Sequence, residues 1–160
     1  MDSWLRPVQL EGELVKLVPL QKTHKVDLAF AASDGKLWEL WYTAVPSPKT
    51  IDTYIETALS EQASGKALPF AIINKKTNTI VGTTRYLNVD AKNKRVEIGA
   101  TWYSKKVQRT GINTECKYIL LKYAFENLNC IAVEFRTHFH NHPSRNAILR
   151  LGAKQDGILR

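Results

Sequence analysis

The sequence has little sulfur: two cysteines, Cys116 and Cys130, and one methionine in 160 residues. Two cysteines cannot build a disulfide framework or a cysteine-only zinc site, so the expected setting is a reducing, cytoplasmic one. No apolar run approaches the roughly 20 residues that a membrane-spanning helix needs. The opening stretch, Met1-Asp2-Ser3-Trp4-Leu5, lacks the basic start and apolar segment of a secretory leader. Neither glycine-rich phosphate fingerprint, G-x-x-x-x-G-K-[S/T] or G-x-G-x-x-G, is present. Disorder is excluded by composition, since 44% of residues are hydrophobic and 24% charged, ordinary usage for a globular chain of about one domain.

Acidic residues are scarce in one region only. Residues 1–100 carry 13 basic and 11 acidic side chains, whereas residues 101–160 carry 10 and 4. A basic last third implies an anionic partner or a solvated basic surface. Nucleic acid is disfavoured because the basic residues are punctuated by glycine and a helix start, not interleaved with exposed aromatics.

The pattern of apolar residues gives the elements. Leu14 to Leu20 reads as a strand ended by Pro19. Thr23 is placed as the N-cap of a helix through Val26, Leu28, Phe30 and Ala31. Ile51 to Ala63 has helical spacing, with Gly65 ending it. Strands follow at Leu68 to Ile73, Thr79 to Val89 and Arg95 to Tyr103. A long helix is expected from about Thr114 to Leu128, then a buried strand from Ile131 to Thr137. The last helix runs from Ser144 to Leu151, and another strand begins at Ala153. The fold class is a mixed α/β (α+β) single domain over residues 1–160, built on a central meander.

The stretch with chemical content is strand, loop, helix start. Glu97-Ile98-Gly99-Ala100-Thr101-Trp102-Tyr103 leads through Ser104 to Val107 into Gln108-Arg109-Thr110-Gly111-Ile112-Asn113-Thr114-Glu115. A glycine-tipped loop entering a helix aims backbone N–H groups at one spot, where the helix dipole adds positive charge. Lys105, Lys106 and Arg109 add more. The pattern describes a diphosphate cradle.

Gln108-x-x-Gly111-x-Asn113 resembles the Q/R-x-x-G-x-G/A loop of the GNAT acetyltransferases. Its companions appear in order: Gly82-Thr83-Thr84-Arg85-Tyr86, Glu97-Ile98-Gly99, Tyr123-Ala124-Phe125-Glu126, Thr137-x-x-x-Asn141-x-x-Ser144, Arg150-Leu151-Gly152-Ala153 and Gly157-Ile158-Leu159-Arg160. Together they are similar to the branch that contains the ribosomal-protein N-terminal acetyltransferases. The resemblance implies the acyl-CoA N-acyltransferase fold, with a mostly antiparallel central sheet flanked by helices. It implies acetyl-CoA as donor, a primary amine as acceptor and no metal.

The resemblance also distributes roles. The pantetheine arm of acetyl-CoA would pair with backbone at Ala100, Thr101 and Trp102, on the splayed edge of their strand. The diphosphate would rest on amides from Gln108 and Arg109 through Thr110, Gly111, Ile112 and Asn113 to Thr114. Asn141 would contact the arm. The acceptor ammonium must lose a proton before attacking the thioester, and the departing thiolate must gain one. Glu97 is the candidate base and Ser144 the candidate acid, with Tyr103 a third possibility. Many relatives place a tyrosine seven residues after the asparagine, where this chain has Ile148. Structural readings compete: Glu97 as a strand residue paired with Arg85 or Arg95, Asn141 and Ser144 as helix-start residues, and Glu115 as a first-turn carboxylate.

His138, His140 and His142 alternate, which invites a metal reading; a contact with a CoA phosphate is the stronger expectation. Trp38, Trp41 and Tyr42 read as core packing or as part of an acceptor pocket. Relatives continue past the motif at Gly157 with a further strand, so the fold is expected to be truncated at its C-terminal hairpin. The strand Ile131 to Thr137 would then keep an open edge, through which two copies could pair as a homodimer. The activity implied is acetyl-CoA-dependent N-acetylation of a small amine or a ribosomal-protein N-terminus; the alternative is an acyl-CoA-binding module without turnover.

Overall fold

Leu68–Asn74, a run of seven residues with five fully buried at its start, organises the molecule. A strand covered on both faces reads as a continuous apolar run, not an alternating one. In the computed structural model, which describes residues 4–159, this strand is β3. The remaining strands are β1 (Leu10–Glu11), β2 (Val15–Pro19), β4 (Thr79–Asp90), β5 (Arg95–Tyr103) and β6 (Ala132–Glu134). Met1 to Ser3 of the opening stretch, and Arg160 at the end of the last motif, lie outside the described residues.

The six strands lie in chain order across one sheet. Every neighbouring pair is antiparallel except β5 and β6. Parallel neighbours need a crossover, and the helix α3 (Gly111–Lys122) with its π-helical end, Tyr123–Asn127, supplies it. Helices α1 (Lys25–Ser33) and α2 (Ile51–Ala63) pack with Ala71 and Trp102 in one apolar cluster. The cluster containing Ile112, Cys116, Ile119 and Leu120 of α3 includes Phe70, Tyr86, Val96 and Ile98. Thus β5 is covered on alternate faces. Helix α4 (His142–Arg150) buries no residue.

Two polar contacts fix α3. The fully buried Tyr86 donates its hydroxyl to the Leu120 carbonyl at 2.6 Å. Glu115 accepts the backbone N–H groups of Glu13, Leu14 and Val15 at 2.9, 2.7 and 2.8 Å. Glu115 is therefore structural, as its first-turn position suggests, and it also clamps the helix start to the β1–β2 hairpin. Gly12 is required there, because a Cβ would lie 2.5 Å from the Glu115 carboxyl carbon.

The expected elements hold for β2, α2, β3, β4 and β5. Four readings need correction. Thr23 is not an N-cap: Lys22–His24 forms a 3-10 turn and α1 begins at Lys25. Helix α3 begins at Gly111, three residues earlier than expected, because the Thr110 side chain caps it. The strand expected from Ile131 to Thr137 is only Ala132–Glu134, half-buried, with Ile131 74% exposed. No strand forms after Ala153 among the described residues. The short β1 has too few residues to show a period. The outer side of β6 pairs with no strand among the described residues.

Replacing Glu115 by Ala removes three charge-assisted hydrogen bonds at a partly exposed site. The expected loss is about 2 kcal/mol of unfolding free energy, measured by urea titration.

Candidate active site

The site begins with an irregularity in β5. Thr83 pairs with Trp102 and Arg85 with Gly99, so Ala100 and Thr101 together face Thr84 alone. Two residues against one is a β-bulge, which bends a strand and increases its twist. Ala100 takes φ +47°, a left-handed conformation that costs a non-glycine residue about 1 kcal/mol. On its other side β5 pairs with β6 only from Arg95 to Glu97, opposite Ala132 to Glu134. Beyond Glu97 the strands part. The edge of β5 from Ile98 to Tyr103 faces a wedge with no strand partner among the described residues. The expected pantetheine edge at Ala100, Thr101 and Trp102 coincides with this bulge.

The cradle follows directly. A 3-10 turn, Lys105–Val107, leads to Gln108, whose Nε2 donates to the Tyr103 carbonyl at 3.1 Å. Arg109 has φ +60°. Thr110 donates its hydroxyl to the Val107 carbonyl at 2.6 Å and accepts the Ile112 N–H at 3.4 Å. Arg109, Thr110, Gly111 and Thr114 are exposed and Asn113 is half-exposed, whereas Ile112 turns its side chain into the core. The Asp34 carboxylate holds the Lys106 N–H at 2.8 Å. The result is a pinned, basic helix start with its backbone turned to solvent, suited to an anion.

Glu97 is the last β5 residue paired to β6, at the mouth of the wedge. Its carboxylate is buried and accepts from Asn88 Nδ2 at 2.6 Å, with Arg136 Nε 3.7 Å away. The expected pairing with Arg85 or Arg95 does not occur. Arg85 binds Glu61 at 3.0 Å, and Arg95 binds Glu134. Asn141 caps α4, its Oδ1 accepting the Ser144 N–H at 3.2 Å. Both residues are half-exposed at that helix start. Tyr103 is removed as a candidate acid. Its hydroxyl is buried in the α3-side core against Cys116, and burial raises its pKa far above the ordinary phenol value.

One residue was not foreseen. Lys117, on α3, is 6% exposed, and its Nζ donates to Thr101 Oγ1 at 2.6 Å. Thr101 Oγ1 lies 2.8 Å from Thr84 Oγ1. The Lys117 ammonium also lies 5.8 Å from the centre of the Phe135 ring, just past β6. Burial lowers the Lys117 pKa to about 8 from 10.5. The sequence signal was present: Lys117 follows the core residue Cys116 and precedes Leu120 by three positions, at the border of the apolar stripe.

His138 and His140 stack with centroids 5.7 Å apart, and Trp41 meets them at 5.0 and 5.7 Å. Trp41 is 72% exposed, so it is not core. It joins the segment after α1 to the segment after β6. No cluster of three metal-ligating side chains occurs among the described residues. No helix among them is long and apolar enough to cross a membrane.

The comparisons with known proteins agree with this fold. Residues 15–154 match the family described as Acetyltransferase (GNAT) domain, and the chain belongs to that family. It is 31% identical over 96 residues to a Bacillus licheniformis protein named uncharacterized N-acetyltransferase p20, covering 60% of this chain and 53% of that one. It is 27% identical over 124 residues to YdaF of Bacillus subtilis (strain 168), named as a candidate ribosomal N-acetyltransferase, covering 75% and 66%. The chain thus spans under two thirds of the length of either relative. A GCN5-related N-acetyltransferase structure from Brucella melitensis superposes with TM-score 0.87 at 27% identity, covering 98% of this chain and 72% of that one.

The buried Lys117 makes a testable demand on stability. Its pKa is lowered on folding, so the native state binds fewer protons than the unfolded chain between about 8 and 10.5. The charge penalty is fully present below that window and is relieved as pH rises through it. Lys117→Met is therefore expected to raise unfolding free energy at pH 7 by about 1–3 kcal/mol. Against the opposing thiols Cys116 and Cys130, whose raised pKa values lower stability as pH rises, the variant should also show a steeper loss of stability from pH 8 to 10 than the wild type, both read by urea titration.

Proposed function

We propose that residues 1–160 form one acetyltransferase domain that moves the acetyl group of acetyl-CoA to a primary amine. The observation that carries this reading is the continuity of the wedge with the cradle. The bulged β5 edge leads through Gln108 and Arg109 to the exposed start of α3. An elongated molecule with an anionic end and an acyl thioester end fits that path. Its arm would pair with β5 at Ala100, Thr101 and Trp102. Its diphosphate would meet the amides and side chains from Gln108 to Thr114. When bound, the thioester supplies an electrophilic carbonyl activated for attack by nitrogen.

This chain's own groups manage the protons. Glu97, held by Asn88 and Arg136 at the mouth of the wedge, takes a proton from the acceptor ammonium through water. Ser144, at the start of α4, returns one to the departing sulfur. Asn141 holds that helix start in place and faces the arm. A ribosomal-protein N-terminus is the second reading for the acceptor, favoured by the name of the relative YdaF. An acyl-CoA-binding module without turnover is the rival, favoured by Ile148 where many relatives have a tyrosine. Both cysteines are free and buried, consistent with a cytoplasmic setting, and the open edge of β6 is where two copies would associate.

Calorimetric titration with acetyl-CoA, followed by thiol release with a panel of amines, tests the proposal. Binding with amine-dependent release is expected, and binding without release selects the module. Gly111→Asp puts a negative charge at the first residue of α3, beside Leu14, and is expected to weaken binding of the diphosphate by like-charge repulsion; unchanged affinity would refute the cradle. Glu97→Gln should lower kcat by tenfold or more, on the order of one general base's contribution, with acetyl-CoA affinity within about twofold. An unchanged rate across pH 6–9 would remove Glu97 as the base.

A further inference from the structure

Lys117 is anomalous in a way the proposed reaction does not use. Its ammonium is buried and, among the described residues, meets one hydroxyl, Thr101 Oγ1, and one ring, Phe135, with no carboxylate paired to it. A buried cation without a counter-charge is costly, and a methionine of similar length would fill the same space. Its location is specific. Thr101 belongs to the bulge on one lip of the wedge, and Phe135 follows β6 on the other lip. The ammonium therefore spans the gap between the lips.

The distance from the cradle is also informative. Lys117 follows Gly111 by six residues, which is about 9 Å along a helix. Helical side chains tilt toward the N-terminus, so the long Lys117 chain reaches back toward the cradle. The ammonium lies on the path between the helix start and the β5 bulge. Around it are a threonine pair, Thr101 and Thr84, 2.8 Å apart, and an aromatic wall. Donors beside an apolar wall suit a neutral carbonyl on an alkyl chain, not a bare anion.

We propose that Lys117 is a ligand-binding residue of the wedge, donating from its ammonium to a carbonyl oxygen of the acyl-thioester arm. The inference rests on the acetyl-CoA reading above and adds a side chain from the middle of α3 to the wedge. Without ligand, the Thr101 hydroxyl occupies one of the three ammonium hydrogens and the other two remain for the arm. With its pKa lowered to about 8 by burial, the group is still mostly charged at pH 7 and able to donate. Lys117 touches no group that gains or loses a proton in the transfer, so its effect falls on arm binding.

The test compares two probes on wild type and Lys117→Met. Acetyl-CoA occupies cradle and wedge together, whereas 3′,5′-ADP carries the nucleotide end and lacks the arm. The variant is expected to bind acetyl-CoA about tenfold more weakly, equivalent to about 1.4 kcal/mol, with 3′,5′-ADP affinity unchanged. Equal acetyl-CoA affinity in the two proteins would overturn the role of Lys117 and leave the acetyl-CoA reading intact. Parallel weakening of both probes would also overturn it, since the substitution would then be disturbing the cradle. Failure of the wild type to bind acetyl-CoA would overturn both readings. Thermal unfolding of each protein confirms the fold, and Lys117→Ala, which leaves a gap instead of a thioether, must lose acetyl-CoA affinity in the same selective way.

Discussion

The parallel contact between β5 and β6 is three residues long, and the functional geometry depends on that brevity. A sheet with full pairing there would have no wedge. The extra residue at Ala100–Thr101 bends β5 where the contact ends. The unpaired amide row that remains would ordinarily invite another strand. In this molecule it faces the wedge that leads toward the start of α3, and under the proposed function an extended ligand takes that edge instead.

Such a device works only if the helix start cannot drift relative to the strand. Three connections prevent it. Glu115 takes three backbone donors from the β1–β2 hairpin. Tyr86 ties β4 to the middle of α3. Asp34 holds the turn before Gln108 from the α1 side. None of these residues faces the wedge. They hold the cradle and the β5 edge at fixed separation, which is what binding one molecule at both places requires. The contrast with α4 is clear, since that helix buries nothing and rests on the Asn141 cap.

The elements flanking the site were legible because each rests on local signals. The apolar period of α2, the buried run of β3 and the hairpins joining β3, β4 and β5 are sequence-local. The start of α3 is not legible, because the Thr110 hydroxyl caps it and makes Gly111, by pattern a loop tip, the first helical residue. Nor is the length of β6, because the apolar residues Ile131 and Phe135 flank a contact only three residues long, and Ile131 is exposed. The partners of Glu97, Asn88 and Arg136, are not legible in the sequence, since β4 brings in the one and the segment after β6 the other.

The sequence by itself determined the order of elements from β2 to α4, the basic helix start and the family, because these depend on residue type at fixed spacing along the chain. Tertiary structure alone decided that β5 and β6 part after Glu97. It alone decided that Trp41 meets His138 and His140, and that Lys117 is enclosed between Thr101 and Phe135. Each of these joins segments distant in the chain. Burial, which sets both the cost of the Lys117 charge and its lowered pKa, comes into existence only when α3 crosses the sheet.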